Sequence, residues 1–118
     1  MKKILFLLAG CLLLISCDKD PDLLIPASEV PKWLKERITA DEKKIADDPQ
    51  SGLEVSAWIR YSFEEKQYFE YHNALSSTLY EVYTFKGTMI IPDQEPYLDY
   101  QSEKSNMEFV WKGPNWIE

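Results

Sequence analysis

Both cysteines of the chain, Cys11 and Cys17, lie within its first seventeen residues. Everything that follows them must therefore fold without a disulfide, a thiolate metal site or a thiol nucleophile, and owe its stability to packing. The segment before Cys17 has an order of its own. Lys2-Lys3 is a short positive stretch, Ile4 to Ile15 is Leu-rich and apolar, and charge resumes at once with Asp18-Lys19-Asp20. A run of about twelve apolar residues is too short to cross a hydrocarbon core, which needs roughly 20. Residues 1–16 are thus expected to be a processing segment that takes no part in the fold.

The residues closing that segment, Leu14-Ile15-Ser16-Cys17, resemble the lipobox of bacterial lipoproteins: a branched apolar residue, a variable one, a small one, then cysteine. The resemblance implies cleavage between Ser16 and Cys17, a diacylglyceryl group on the Cys17 thiol, and often a third chain, such as palmitate, on the freed amine. Cys11, after Leu8-Ala9-Gly10, fits the box by residue type. It leaves an apolar region of only seven residues, however, and strands Leu12 to Ile15 on the mature protein. Each buried methylene contributes about 0.8 kcal/mol and one chain alone binds reversibly, so two or three chains make Cys17 a lasting membrane anchor.

Removal of Lys2 and Lys3 leaves 11 basic residues against 20 acidic ones, a balance of −9. Such a surface is repelled by phosphate backbones and by anionic head groups. No nucleic-acid partner is expected, and contact with the membrane is expected to come through Cys17. Residues 17–30, with Pro21 and Pro26 among acids, read as an acidic tether of extended habit. Thirteen residues of it could span at most about 45 Å. Its apolar triplet, Leu23-Leu24-Ile25, could dip into the membrane or dock on the domain, and docking is expected, since left exposed it would promote association.

Residues 31–118 are expected to form a single small α+β domain: one N-terminal amphipathic helix packed on a four- or five-stranded antiparallel sheet. Pro31 suits a first helical position, and Leu34, Ile38 and Ile45 recur at helical spacing up to about Asp47, with Lys32, Glu36, Lys43 and Asp47 opposite. Glu42, one turn after Ile38, must reach out from the edge of the apolar stripe. From Leu53 to Phe63 the period is two. Leu53, Val55, Ala57, Ile59, Tyr61 and Phe63 alternate with Glu54, Ser56, Trp58, Arg60 and Ser62, and the first set is expected to receive the helix. Further strands are expected over 67–72, 79–85, 88–91 and 108–112, with turns at Glu64-Glu65-Lys66 and Lys86-Gly87. Residues 93–107 read as a long loop with a short turn.

Chemistry is sparse. His72 is the only histidine and shares a strand face with Glu70, an arrangement that could orient a base. Without a second histidine or a Gly-x-Ser-x-Gly elbow it reads instead as a surface residue at a strand end. Zinc lacks a ligand set. Asp93, Glu95 and Asp99 lack the Asp-x-Asp-x-Asp-Gly pattern of a calcium loop, and no glycine-rich phosphate cradle exists. No catalytic site, metal or cofactor is therefore expected. Fifteen of the 102 mature residues are aromatic, more than enough for a disulfide-free core with cross-strand pairs. Trp58 with Tyr68 on neighbouring strands, or Trp111 with Trp116 near the end, are the candidate binding-surface aromatics.

The lipobox, the acidic tether, the opening Pro31-Lys32-Trp33-Leu34-Lys35-Glu36-Arg37-Ile38 and strands such as Tyr68-Phe69-Glu70 together resemble small uncharacterised lipoproteins of the Bacteroidota. The resemblance implies the cell envelope, with acids after the cysteine pointing to the outer membrane or cell surface, while Asp18 in the second position leaves inner-membrane retention open. The function expected is a non-catalytic binding or accessory module for an envelope protein or glycan. The alternatives are an inhibitor of a lytic envelope enzyme and, less favoured, a small hydrolase.

Overall fold

The computed structural model describes residues 21–76, 79–92 and 94–117. The lipobox and Cys17 lie outside them. No helix among the described residues is long and apolar enough to cross a membrane.

Among the described residues the architecture is α+β, with two α-helices and one five-stranded antiparallel sheet. Helix α1 spans Lys32–Asp47. Strands β1 (Ser56–Phe63), β2 (Lys66–Asn73), β3 (Glu81–Thr84) and β4 (Met89–Ile90) then follow as consecutive hairpins. Helix α2 (Tyr97–Glu103) precedes β5 (Ser105–Lys112), which returns to the free side of β1, giving the order β4-β3-β2-β1-β5.

The local causes are plain. Pro31 caps α1 in extended conformation and is buried there, so the helix begins one residue later than the proline preference suggests. The turn between β1 and β2 has Glu64 at φ 53° and Glu65 at φ 65°. Two left-handed residues match the right-handed twist of paired strands, at some cost for side chains other than glycine. In the β3–β4 turn Gly87 sits at φ 94°, and a Cβ there would meet the Trp33 ring at 3.2 Å. Only glycine lets that turn lie against the helix.

Register decides which face α1 covers. Trp58 stands opposite Tyr71, and Phe69 opposite Tyr83, so these side chains share one face. Leu34 and Ile38, both fully buried, join Trp58, Phe69, Val110 and Trp111 in one cluster, with Trp33 and Ile45 packed beside it. The Trp33 ring lies 6.0 Å from that of Trp58 and 5.3 Å from that of Tyr83. The expectation that α1 meets Val55, Ala57, Ile59 and Tyr61 is thus corrected: the helix lies on the even-numbered face.

The odd-numbered face is covered from the other side. Phe63 and Val82 form a second cluster with Tyr97 and Tyr100 of α2, and Tyr61, Tyr68 and Ile90 pack against it. Residues 93–107 are therefore no long loop, because α2 supplies the lid this face requires. β1, flanked by β2 and β5, is buried on both sides, which is why its burial shows no alternation from Ser56 to Arg60. Arg60, on the α1 face, is neutralised there by Glu29 at 3.0 Å and Glu108 at 2.6 Å.

The leading segment runs along the edge of the sheet. Leu23 and Ile25 pack on the α1-side cluster. The Leu24 amide donates to the Val110 carbonyl at 2.8 Å, and the Asp22 amide to Glu42 Oε2 at 3.1 Å. Glu42 thus stays at the margin of the apolar stripe as an acceptor, which it also is for the Trp111 indole at 2.9 Å.

Candidate functional site

Two polar assemblies have the composition of a site, one closed and one open. The closed one centres on Glu70, whose side chain is fully buried between the sheet and α2. Its Oε1 bonds His72 Nε2 at 2.7 Å. Its Oε2 accepts from the Tyr100 hydroxyl at 2.8 Å and from Lys104 Nζ at 2.6 Å. Burial pushes the carboxyl up, but the bonds from His72, Lys104 and Tyr100, with the Lys104 charge, outweigh it and hold the pKa below the ordinary value. Burial and the Glu70 charge together drive the Tyr100 phenol far up, so it remains a donor.

His72 therefore shares a face with Glu70, as its spacing requires, but it is no surface residue. Its side chain is 13% exposed and its ring stacks on Tyr80 at 3.7 Å. Both Glu70 oxygens are engaged by donors, so taking a proton from a substrate would mean breaking a charge-assisted bond. The arrangement suits a clasp between α2 and the sheet. Elsewhere, Glu95 Oε1 accepts from the Asp99 amide at 3.1 Å, which ties that carboxylate to the first turn of α2. Among the described residues no group of three or more metal-ligating side chains converges.

The aromatics chosen from the sequence separate. Trp58 is fully buried beneath α1, and Trp111 is 2% exposed with its indole committed to Glu42; both are core, and their place as binding-surface residues is corrected. Trp116 is half-buried, its ring 6.2 Å from that of Phe109. Tyr68 lies on the face opposite Trp58, so the two form no joint patch. Trp111 lines a shallow opening of about 340 Å³ beside Asp22 and Glu42, and Tyr68 borders a larger one.

That opening is the second assembly. The last registered pair between β2 and β3 is Tyr68 with Thr84. Beyond it the strands diverge, β2 toward the Glu64-Glu65 turn and β3 toward the Lys86-Gly87 turn. A notch of about 570 Å³ is left between them, lined by Lys66, Gln67, Tyr68, Thr84, Phe85 and Lys86. Its walls are held from behind. The Tyr68 ring lies 5.0 Å from that of Tyr100, and Gln67 Oε1 accepts from Arg60 at 3.2 Å. The Trp33 indole donates to the Phe85 carbonyl at 2.8 Å, so α1 fixes the turn that presents Phe85 and Lys86. Phe85 remains 47% exposed.

Sequence reasoning found Tyr68 and missed Lys66, Phe85 and Lys86. The last two were assigned to a hairpin end and its turn, and only the strand order brings that turn beside the start of β2. Compared with known proteins, the chain matches no family model, no curated protein and no solved structure.

Proposed function

We propose that the chain is a lipid-anchored envelope lipoprotein whose folded part is a non-catalytic binding module, held at the membrane through Cys17. The observation that carries the reading is the notch between the two turns. Its volume falls within the range of roughly 300–1,000 Å³ usual for ligand sites. It also combines aromatic, cationic, amide and hydroxyl groups on walls fixed by α1 and α2. The polar cluster around Glu70 is by contrast closed by its own donors.

A photoreactive phenylalanine analogue at Phe85, in the chain as exported by living cells, tests this. Adducts from position 85, and none from the same analogue at Lys43 on the outer side of α1, are expected. No adduct at 85, or equal yields at both positions, refutes the reading.

The inhibitor alternative has a structural foothold at the same end of the sheet. Glu64 and Glu65, both in left-handed conformation, form a tight acidic tip that a basic cleft could receive. Adducts from position 64 to a lytic enzyme, with none from 85, would favour it.

A further inference from the structure

Charge within the notch runs against the charge of the molecule. The mature chain carries 20 acids against 11 bases, yet the notch is lined by two lysines and no acid. Five of the ten cations in residues 31–118 are held in ion pairs. Lys32 pairs with Glu36, Arg37 with Asp41, Lys43 with Asp47, Arg60 with Glu29 and Glu108, and Lys104 with Glu70. Lys66 and Lys86 form no ion pair among the described residues, although Glu64 and Glu65 immediately precede Lys66. What sets Lys66 and Lys86 apart from Lys35 and Lys44, also without an ion pair among the described residues, is that both line one opening of an acidic molecule, a binding feature for anions.

The other lining groups narrow the chemistry. Tyr68 from the α2 side of the sheet and Phe85 from the α1 side, beside Phe69, flank the notch with rings, while Gln67 and Thr84 offer an amide and a hydroxyl. An extended acidic peptide would be recognised mainly through an unpaired strand edge. The notch has only a short one, since β2 runs just two residues, Lys66 and Gln67, beyond its last pair with β3. Recognition therefore falls mainly to side chains. Ring faces suit the apolar face of a pyranose, amide and hydroxyl suit its hydroxyl groups, and ammonium groups suit carboxylates.

From this juxtaposition we infer that the notch binds a carboxylated saccharide, with Lys66 and Lys86 taking the carboxylates and Phe85 and Tyr68 the sugar rings. The inference rests on the binding-module reading and names its ligand class. Because both lysines are solvent-accessible, the interaction is weak at each cation and sensitive to ionic strength.

Titration of the isotope-labelled full-length chain in detergent micelles with trigalacturonate, followed by amide shifts, provides the test. Shifts are expected at 66–68 and 84–87. Lys66→Gln and Lys86→Gln should each weaken binding about two- to fivefold, by the measure of exposed ion pairs, and Lys35→Gln should leave it unchanged. Phe85→Ala should weaken binding at low and high salt alike, with Phe85→Leu available as a milder replacement should the alanine variant lose its fold. A neutral trisaccharide bound as tightly, hexaglutamate bound as tightly at the same residues, or no shift at millimolar trigalacturonate each overturns the assignment. Crosslinking at Phe85 in cells together with silence toward trigalacturonate would sink the saccharide and leave the binding module standing.

Discussion

Replacing Tyr100 by Phe removes one donor from the buried Glu70 carboxylate and little else, which makes it a sensitive probe of how α2 is held. The lost bond, 2.8 Å long and made to a charged acceptor, belongs to a class worth about 1.5–3 kcal/mol. Lys104 still reaches the same oxygen at 2.6 Å, so the carboxylate is not stranded and the lower end of that range, about 1.5 kcal/mol, applies. For a domain of this size 1 kcal/mol moves the melting temperature by about 4–8 °C, and Tyr100→Phe should lower it by about 6–12 °C. Glu70→Leu should cost more, about 3–5 kcal/mol, because it leaves the Lys104 ammonium largely buried without its counter-charge. The pH dependence supplies an independent check. The folded pKa of Glu70 is lowered from an ordinary value of 4.5. Its stabilisation is therefore complete above that value and is lost as pH falls below it toward the folded pKa. Glu70→Gln should lose less stability than the wild type between pH 5 and pH 3 in thermal melts followed by circular dichroism. A Tyr100→Phe melt unchanged from wild type, with superimposable acid profiles for Glu70→Gln and wild type, would refute the clasp.

Three further outcomes are expected. Cys17→Ser should leave a larger, unlipidated precursor by intact mass, and acylation and cleavage of that variant would transfer the anchor to Cys11. Ile38→Ala, at a fully buried position, should cost about 2–5 kcal/mol, whereas Lys43→Ala on the exposed side should barely move the melt; equal small effects would show that α1 is not docked. Asp41→Ala should raise the melting temperature by a few degrees at pH 7, because Asp41 Oδ2 is buried without a hydrogen bond and burial raises its pKa against the pull of Arg37 and Lys44. That gain should shrink in acid, where protonation relieves the wild type of the same penalty, and a loss of stability at pH 7 would mean that the pairing with Arg37 outweighs desolvation.

The elements were legible in the sequence where one period dominates. The spacing of Leu34 and Ile38 marks α1, and its end near Asp47 follows from Pro49 and Gly52. The four hairpin strands follow from alternation broken by Glu64-Glu65 and Lys86-Gly87. What was not legible is which side of the sheet is dry. Alternation over 53–63 places Trp58 with the polar set, yet an indole buries more apolar area than Ala57 or Val55 can, and the strand is central. The second lid was hidden for a related reason. α2 is only seven residues long, and Tyr97 and Tyr100, the two that it buries, are too few to reveal a helical period among Asp99, Gln101 and Glu103. The notch could not be read locally at all, since it exists only where two turns distant in sequence lie side by side.

The path of the first described residues bears on how such a module would be presented. A tether free from Cys17 to Val30 could lift the domain by tens of ångströms, but Leu23 and Ile25 are packed and the Leu24 amide is bonded to Val110. Docking leaves only the stretch from Cys17 to Pro21, at most about 14 Å, between the proposed lipid and the body of the domain. Asp22 meets Glu42 beside Trp111, and Trp111 pairs with Trp58 near the start of β1. Lys66, on the rim of the notch, pairs with Phe63 at the end of the same strand. The five steps along β1 from Trp58 to Phe63, at about 3.3 Å each, separate the two levels by roughly 17 Å. The first described residues and the notch thus lie toward opposite ends of the sheet. A lipid on Cys17, as proposed, would hold the near end at the membrane and leave the notch facing away from it.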